Sequence, residues 1–148
     1  MHAYTNSGHP TCCAVALKNI EILQREQLCE HAATMGARLQ AGLTAAFGDQ
    51  PHTGDIRGGK GLLAAVEFVE DRATQKNFPD RLKIAARLKV EMMKRGVITR
   101  TRPAVGAHPA SGDILFFAPP LIITEAEVDR LVSVARDAVK VVLRANNT

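Results

Sequence analysis

Leu62-Leu63-Ala64-Ala65-Val66-Glu67-Phe68-Val69 is a short apolar run that ends in β-branched and aromatic residues. Its length and its tail predict a buried strand rather than a helix. Val97-Ile98-Thr99-Arg100 and Ile114-Leu115-Phe116-Phe117 read as two further short strands. Between those two lies 101–113, rich in Pro, Gly and Ala, which predicts a surface excursion. Before the first strand, Thr53-Gly54-Asp55-Ile56-Arg57-Gly58-Gly59-Lys60-Gly61 reads as a glycine-rich connector. Its glycines could cradle phosphate, but the G-K-[ST] of a P-loop is absent, and a tight lead-in to the buried strand accounts for them better.

Helical patterns surround these strands. From Pro10 to Phe47, apolar residues such as Cys13, Leu17, Ile20, Leu28, Ala32, Met35, Leu39 and Leu43 recur near a spacing of 3.6. Pro10 suits a first turn and Gly48 a left-handed stop, and the polar 24–27 stretch offers a break into two helices. Unbroken, such a helix would span about 57 Å, too long for one small domain to cover. Its first half therefore needs a partner outside this domain. Asp80 is placed to cap a second helix carrying Leu82, Ala85, Leu88 and Met92 and stopped by Gly96. Thr124-Glu125-Ala126-Glu127 is a capping box that opens a third, with Val128, Leu131, Ala135, Val139 and Val142 on one face. The predicted order is helix, strand, helix, strand, strand, helix. It implies an α+β two-layer fold, a small and largely antiparallel sheet covered on one face by helices. The expected division is a linking segment with its long helix over 1–48 and the small α+β domain over 49–148, with the last three residues fraying.

Composition narrows the function classes. The 148 residues are 46% hydrophobic, enough for one core. A net charge of +4 is spread along the chain, with five Phe and one Tyr to interleave with it, which argues against a nucleic-acid interface. No apolar run reaches the roughly 20 residues of a membrane span, and no signal-peptide layout opens the chain. Cys12, Cys13 and Cys29 are odd in number and lack C-x-x-C spacing, which argues for a reducing cytoplasm and against a disulfide framework or a zinc site. Cys12 and Cys13 fall in the helical pattern, where core packing is expected. The five histidines have no ligand spacing, so no metal is expected.

Two strings carry a more specific signal. Thr5-Asn6-Ser7-Gly8-His9-Pro10 brings hydroxyls and free N–H groups to a helix N-terminus, which suits an anion such as phosphate. Far downstream stands Phe116-Phe117-Ala118-Pro119-Pro120-Leu121-Ile122-Ile123-Thr124. The first resembles the T-x-S-G-H-P segment of fold-type I, class III pyridoxal-phosphate aminotransferases (the omega-amino-acid:pyruvate transaminase branch). The second resembles their A-P-P-L-x-x-T segment, and order and spacing agree. The resemblance covers nearly the whole chain and implies the C-terminal small domain of such an enzyme. It would move an amino group between an amine or omega-amino acid and a keto acid such as pyruvate, as a homodimer using pyridoxal 5'-phosphate.

That chemistry needs a lysine for the cofactor, a carboxylate against its ring nitrogen and a phosphate cradle. In the resembling family the lysine and aspartate precede the T-x-S-G-H-P segment. Lys18, Lys83, Lys89, Lys94 and Lys140 sit on helical patterns, and the surroundings of Lys60 and Lys76 do not match the lysine motif. The resemblance thus implies a fragment, inactive alone, whose large cofactor domain is its missing partner. It assigns Thr5, with Ser7 beside it, to the phosphate of the cofactor across a dimer interface. Capping of the helix is the other reading of both residues. Asn6 departs from the aromatic common there in the family. The resemblance also makes Arg100 a mobile clamp for the substrate carboxylate, which a planar guanidinium fork suits. Arg102 is the neighbouring candidate, and ordinary loop arginines remain the alternative for both. Arg57 lies in a D-x-R-G-x-x-x-L-like segment that helps hold structure near the active-site mouth. Two other readings stay open: a free-standing ligand-binding or regulatory module on a transaminase scaffold, and a helix-pairing interaction domain.

Overall fold

The computed structural model describes residues 5, 7–104 and 112–144. Helix α1 runs Pro10–Arg25 and α2 runs Leu28–Phe47. The break falls at the polar stretch, where Gln27 takes a left-handed φ of 50° and starts α2. The next elements are strands β1 (Thr53–Arg57) and β2 (Ala64–Phe68), then a single 3₁₀ turn at Asp80–Leu82. Helix α3 (Ile84–Lys94), strands β3 (Arg100–Arg102) and β4 (Asp113–Phe117), and helix α4 (Glu125–Arg144) complete the chain.

The four strands form one antiparallel sheet in the order β1-β2-β4-β3. The α+β two-layer expectation holds. Val66 and Leu115, paired across β2 and β4, are fully buried with Phe68 and Phe117 in a core shared with Leu39, Leu43 and Phe47 of α2. Leu88 and Met92 of α3, and Val128, Ala135 and Val142 of α4, close the same core. Thr124 and Glu127 form the expected capping box: the Thr124 N–H donates to Glu127 Oε2 at 2.8 Å, and the Glu127 N–H donates to Thr124 Oγ1 at 3.3 Å.

Five details differ from the sequence reading. Thr53–Arg57 is a strand rather than part of a loop, because Arg57 finds the Glu67 carboxylate across the ladder on β2. Asp80 does not cap α3. Lys83 precedes that helix at φ 46°, and the buried Asp113 carboxylate accepts the Ala85 N–H at 3.0 Å, taking the donor that a local cap would satisfy. The strand expected at Val97 starts at Arg100, since Gly96 (φ 78°) ends α3 with the Val97 N–H folded back to the Met92 carbonyl. Cys12 and Cys13 are exposed, not in the core, because no residue of α1 is buried. Cys29 is exposed on α2 as well. Gly48 follows α2 in a right-handed conformation (φ −54°) rather than as the expected left-handed stop, because its N–H continues the helical pattern to the Thr44 carbonyl. Most of the excursion expected over 101–113, and the end expected to fray, lie outside the described residues.

Gly59 and Gly61, at φ 87° and 84°, turn the chain into β2 as the glycine-rich segment suggested. Gly36 on α2 lets this turn approach. A Cβ at Gly36 would overlap the Gly61 carbonyl. No helix among the described residues is long and apolar enough to cross a membrane.

Candidate functional site

The edge strand β3 sets the geometry of the site. Register pairs Arg100 with Phe116, Thr101 with Leu115 and Arg102 with Ile114. Side chains alternate along a strand, so Thr101 shares the face of buried Leu115, and Arg100 and Arg102 stand on the opposite face. Both arginines are exposed, and among the described residues neither is paired with a carboxylate. The Arg100 guanidinium carbon lies 5.9 Å from the centre of the Phe116 ring, a cation–π placement that orients it without fixing its fork. The Thr99 hydroxyl donates to the Phe116 carbonyl and ties the start of β3 to its neighbour.

Arg100 borders a groove of about 580 Å³ between the end of β4 and the start of α4. Ile98, Phe116, Pro119 and Leu131 give it apolar walls, and Glu127 and Arg130 lie along the α4 side. The Pro119–Pro120 pair ends the sheet ladder, because proline offers no N–H to it. His31 of α2 joins this corner through a 2.8 Å hydrogen bond between Nε2 and the Ile123 carbonyl.

On the same sheet face, two strands from β3, stands a second charged group. Glu67 is only 4% exposed, yet both its oxygens are engaged. Oε2 accepts Arg57 Nη2 at 2.6 Å, and Oε1 accepts the Gly112 N–H at 2.5 Å. Arg57 also donates to Asp55 Oδ2 at 2.5 Å, and this bond is the main reason its pKa is raised, so its charge is secure. Arg57 thus bridges Asp55 and Glu67, two acids directly opposite each other in the ladder. Sequence reasoning anticipated a structural Arg57 but passed over Glu67. The available signal was a lone charge inside an apolar strand.

Thr5 and Ser7 are exposed in the turn before α1. The residue at the N-cap position is His9, without a side-chain cap bond, and Pro10 occupies the first turn. Neither Thr5 nor Ser7 lines the groove beside Arg100, and Asn6 lies outside the described residues. The structure therefore brings Arg100, Arg102 and Phe116 together and leaves the Thr5 turn apart from the groove.

Residues 1–139 match the model of the aminotransferase class-III family. The chain belongs to the class III aminotransferases. An uncharacterized aminotransferase of Sinorhizobium fredii is 42% identical over 96% of this chain, which spans 29% of that protein. The diaminobutyrate–2-oxoglutarate transaminase of Halomonas elongata is 41% identical over 97% of the chain, again 29% of the relative. The omega-transaminase of Pseudomonas jessenii, solved in complex with PMP, superimposes with a TM-score of 0.81 at 39% identity, covering 97% of this chain and 29% of that one. The chain therefore spans under a third of the length of these relatives.

The class III family implies pyridoxal phosphate, and the described residues fit only part of it. All seven lysines are exposed, and Lys76 is held protonated by its bond to Glu70, the reverse of what a cofactor lysine requires. The donors that do suit the cofactor are the Thr5 and Ser7 hydroxyls and the N–H groups opening α1, which fit a phosphate and not a ring.

Proposed function

We propose that this chain is the substrate-gripping C-terminal part of a pyridoxal-phosphate-dependent aminotransferase. It moves an amino group between an amine or omega-amino acid and a keto acid such as pyruvate. The observation that carries this is Arg100, a guanidinium without a carboxylate partner among the described residues, poised on an aromatic ring at the rim of an apolar groove. Its fork is free to take a substrate carboxylate through two parallel hydrogen bonds and to swing aside for an uncharged amine. Phe116 holds the arginine between these two positions.

The remainder of the enzyme, corresponding to the greater length of the relatives, supplies the cofactor lysine and the ring-nitrogen acid. It also covers the exposed face of α1, which favours this reading over a free-standing module. When bound, the cofactor supplies the electron sink for amino transfer. Thr5, with Ser7 beside it, donates a hydroxyl to the cofactor's phosphate across a homodimer interface. The three exposed, free thiols suit a reducing cytoplasm.

The test is Arg100→Ala in the full-length enzyme, with each half-reaction measured separately. KM for the keto acid should rise roughly tenfold to hundredfold, and turnover of an uncharged amine should stay within about twofold. Equal losses for both substrate types would mean that Arg100 is structural. Thr5→Ala should weaken cofactor retention about tenfold with an unchanged melting temperature, read by equilibrium dialysis. Unchanged retention with lowered melting would instead make Thr5 a helix-stabilising residue.

A further inference from the structure

A cleft of about 640 Å³ separates α2 from β1, the edge strand at the opposite side of the sheet from Arg100. With strands about 4.8 Å apart, the two edges of this four-stranded sheet lie about 14 Å from each other. Two polar atoms of residues lining the cleft are buried without a hydrogen-bond partner among the described residues, Gln40 Oε1 on α2 and Thr53 Oγ1 on β1. Thr53 is only 2% exposed. Folded chains leave few such groups unmade, because each has forfeited its bonds to water. A single torsion, about Cα–Cβ, sets where this hydroxyl points. Two unspent charges stand at one end of the same cleft, beside Gly48. Arg72 donates Nη1 to the Gly48 carbonyl at 2.6 Å and has no carboxylate partner among the described residues. Asp49 lines the cleft next to it, and no ion pair joins the two. The other acid in the cleft is committed, since Asp55 accepts the Ile56 N–H and Arg57 Nε. A simple anion would leave Asp49 unmatched, and a simple cation would leave Arg72 unmatched. A zwitterion answers both.

We propose that this cleft binds a free amino acid, with its ammonium on Asp49 and Thr53 Oγ1 and its carboxylate on Arg72. A guanidinium that spends one nitrogen on a carbonyl keeps the others for a carboxylate. The ammonium end is also the C-terminus of α2, where the helix dipole favours a cation. Gln40 stands eight residues back along α2, about 12 Å from Gly48. Two extended side chains of about 5 Å each, with a hydrogen bond between them, cover that span. Gln40 Oε1 only accepts, so it selects an amino acid whose side chain ends in a donor. Glutamine meets that demand. Glutamate has the same shape but, as a carboxylate, offers acceptors alone. The site is independent of the reading of Arg100, which lies at the other edge of the sheet.

The experiment is calorimetric titration of glutamine and glutamate into the full-length enzyme, with its cofactor already aminated so that the probe cannot donate its amino group. It is run with and without Arg100→Ala, which removes the proposed clamp. In the Arg100→Ala enzyme, glutamine should still bind at one site per chain, and glutamate about tenfold more weakly. Asp49→Asn and Arg72→Gln should each weaken glutamine about tenfold to hundredfold, since each removes a charge-assisted bond. Arg72→Gln keeps an N–H for the Gly48 carbonyl, so the fold is spared. Thr53→Val separates a binding site from a packing fault. It should raise the melting temperature of the ligand-free enzyme, by removing an unpartnered hydroxyl, and weaken glutamine about threefold to tenfold. A Thr53→Val enzyme that melts higher and binds glutamine unchanged overturns the proposal. So do equal binding of glutamate and glutamine, binding indifferent to Asp49 and Arg72, and no binding at all. Glutamine binding that vanishes with Arg100→Ala places the amino acid on the clamp, and the cleft site then falls while the clamp stands.

Discussion

Helices α1 and α4 are both amphipathic, and they meet opposite fates. Helix α4 buries Val128, Ala135, Ala138, Val139 and Val142 in the core, packed against α2 and α3. Helix α1 buries nothing, and Val15, Leu17 and Ile20 are each at least half exposed. A 3.6-residue period shows that a face is apolar and says nothing about what covers it. The chain spans under a third of its relatives' length, and on the proposed function the rest of the enzyme covers α1. The contrast can be broken first in the core. Leu39, with no exposed surface, should cost about 2–5 kcal/mol when replaced by Ala in this chain. Leu17→Ala should stay within about 0.5 kcal/mol here, and should become costly only in the full-length enzyme. Urea midpoints for both variants in both contexts decide it, and a costly Leu17→Ala in the isolated chain would remove the distinction.

A smaller effect sharpens the same comparison at the α2 surface. Gly36→Ala would push a methyl into the backbone of Gly61, and neither chain can yield by a rotamer change. The expected loss is about 1–3 kcal/mol, as for overpacking elsewhere. Gly61 has open space around its missing Cβ, so Gly61→Ala should suffer only from its φ of 84°, at about 1–2 kcal/mol. Thermal melting of the two variants separates collision from backbone strain. Equal melting temperatures would mean that the α2 contact yields.

Legibility in the sequence followed the range of the interaction. The Thr124–Glu127 box was readable because all its partners lie within four residues. The glycine turn into β2 was readable because positive φ is a property of the residue itself. Strand β1 was not, since Asp55 and Arg57 look like loop residues until Glu67 is brought opposite Asp55 and within reach of Arg57. The cap of α3 was misread for the same reason, because its acceptor, Asp113, lies on β4. At the candidate site, Arg100 was singled out by position. Its ring partner Phe116, the groove and the shared face with Arg102 needed the strand register.

Asp113 turns that misreading into a pH prediction. Burial pushes its carboxyl pKa up, and the amides of Ala85 and Ala104 offset part of this. A folded-state pKa above the unfolded value means that the folded chain holds this proton more tightly. The resulting stabilisation is full below the unfolded pKa, about 3.9, and is lost as pH rises through the higher folded value. Asp113→Asn keeps an oxygen for the Ala85 N–H and removes the titration. Relative to wild type, the variant should therefore gain stability as pH increases from about 4 toward 7, read from urea midpoints at several pH values. A variant that loses ground over that interval would show that the charged carboxylate is the favoured partner of α3.

The smallest effect lies where α2 meets α4 at the surface. Arg38 donates Nε to Asp129 Oδ1 at 2.9 Å and Nη2 to Oδ2 at 2.7 Å, and its Nη1 lies 2.9 Å from Glu125. The geometry is bidentate, and the bond from Arg38 lowers the Asp129 pKa below the ordinary carboxylate value. All three side chains are exposed, however, and water and salt screen such pairs heavily. The apolar packing of α2 on α4 lies beneath them and does not depend on them. Arg38→Ala should therefore lower the melting temperature slightly at low ionic strength, and the difference should vanish near 1 M salt, where the screening length is about 3 Å. A deficit that survives high salt would mean that the stem of Arg38 covers apolar surface between the helices. Arg38→Met, which keeps the stem without the charge, would then recover it.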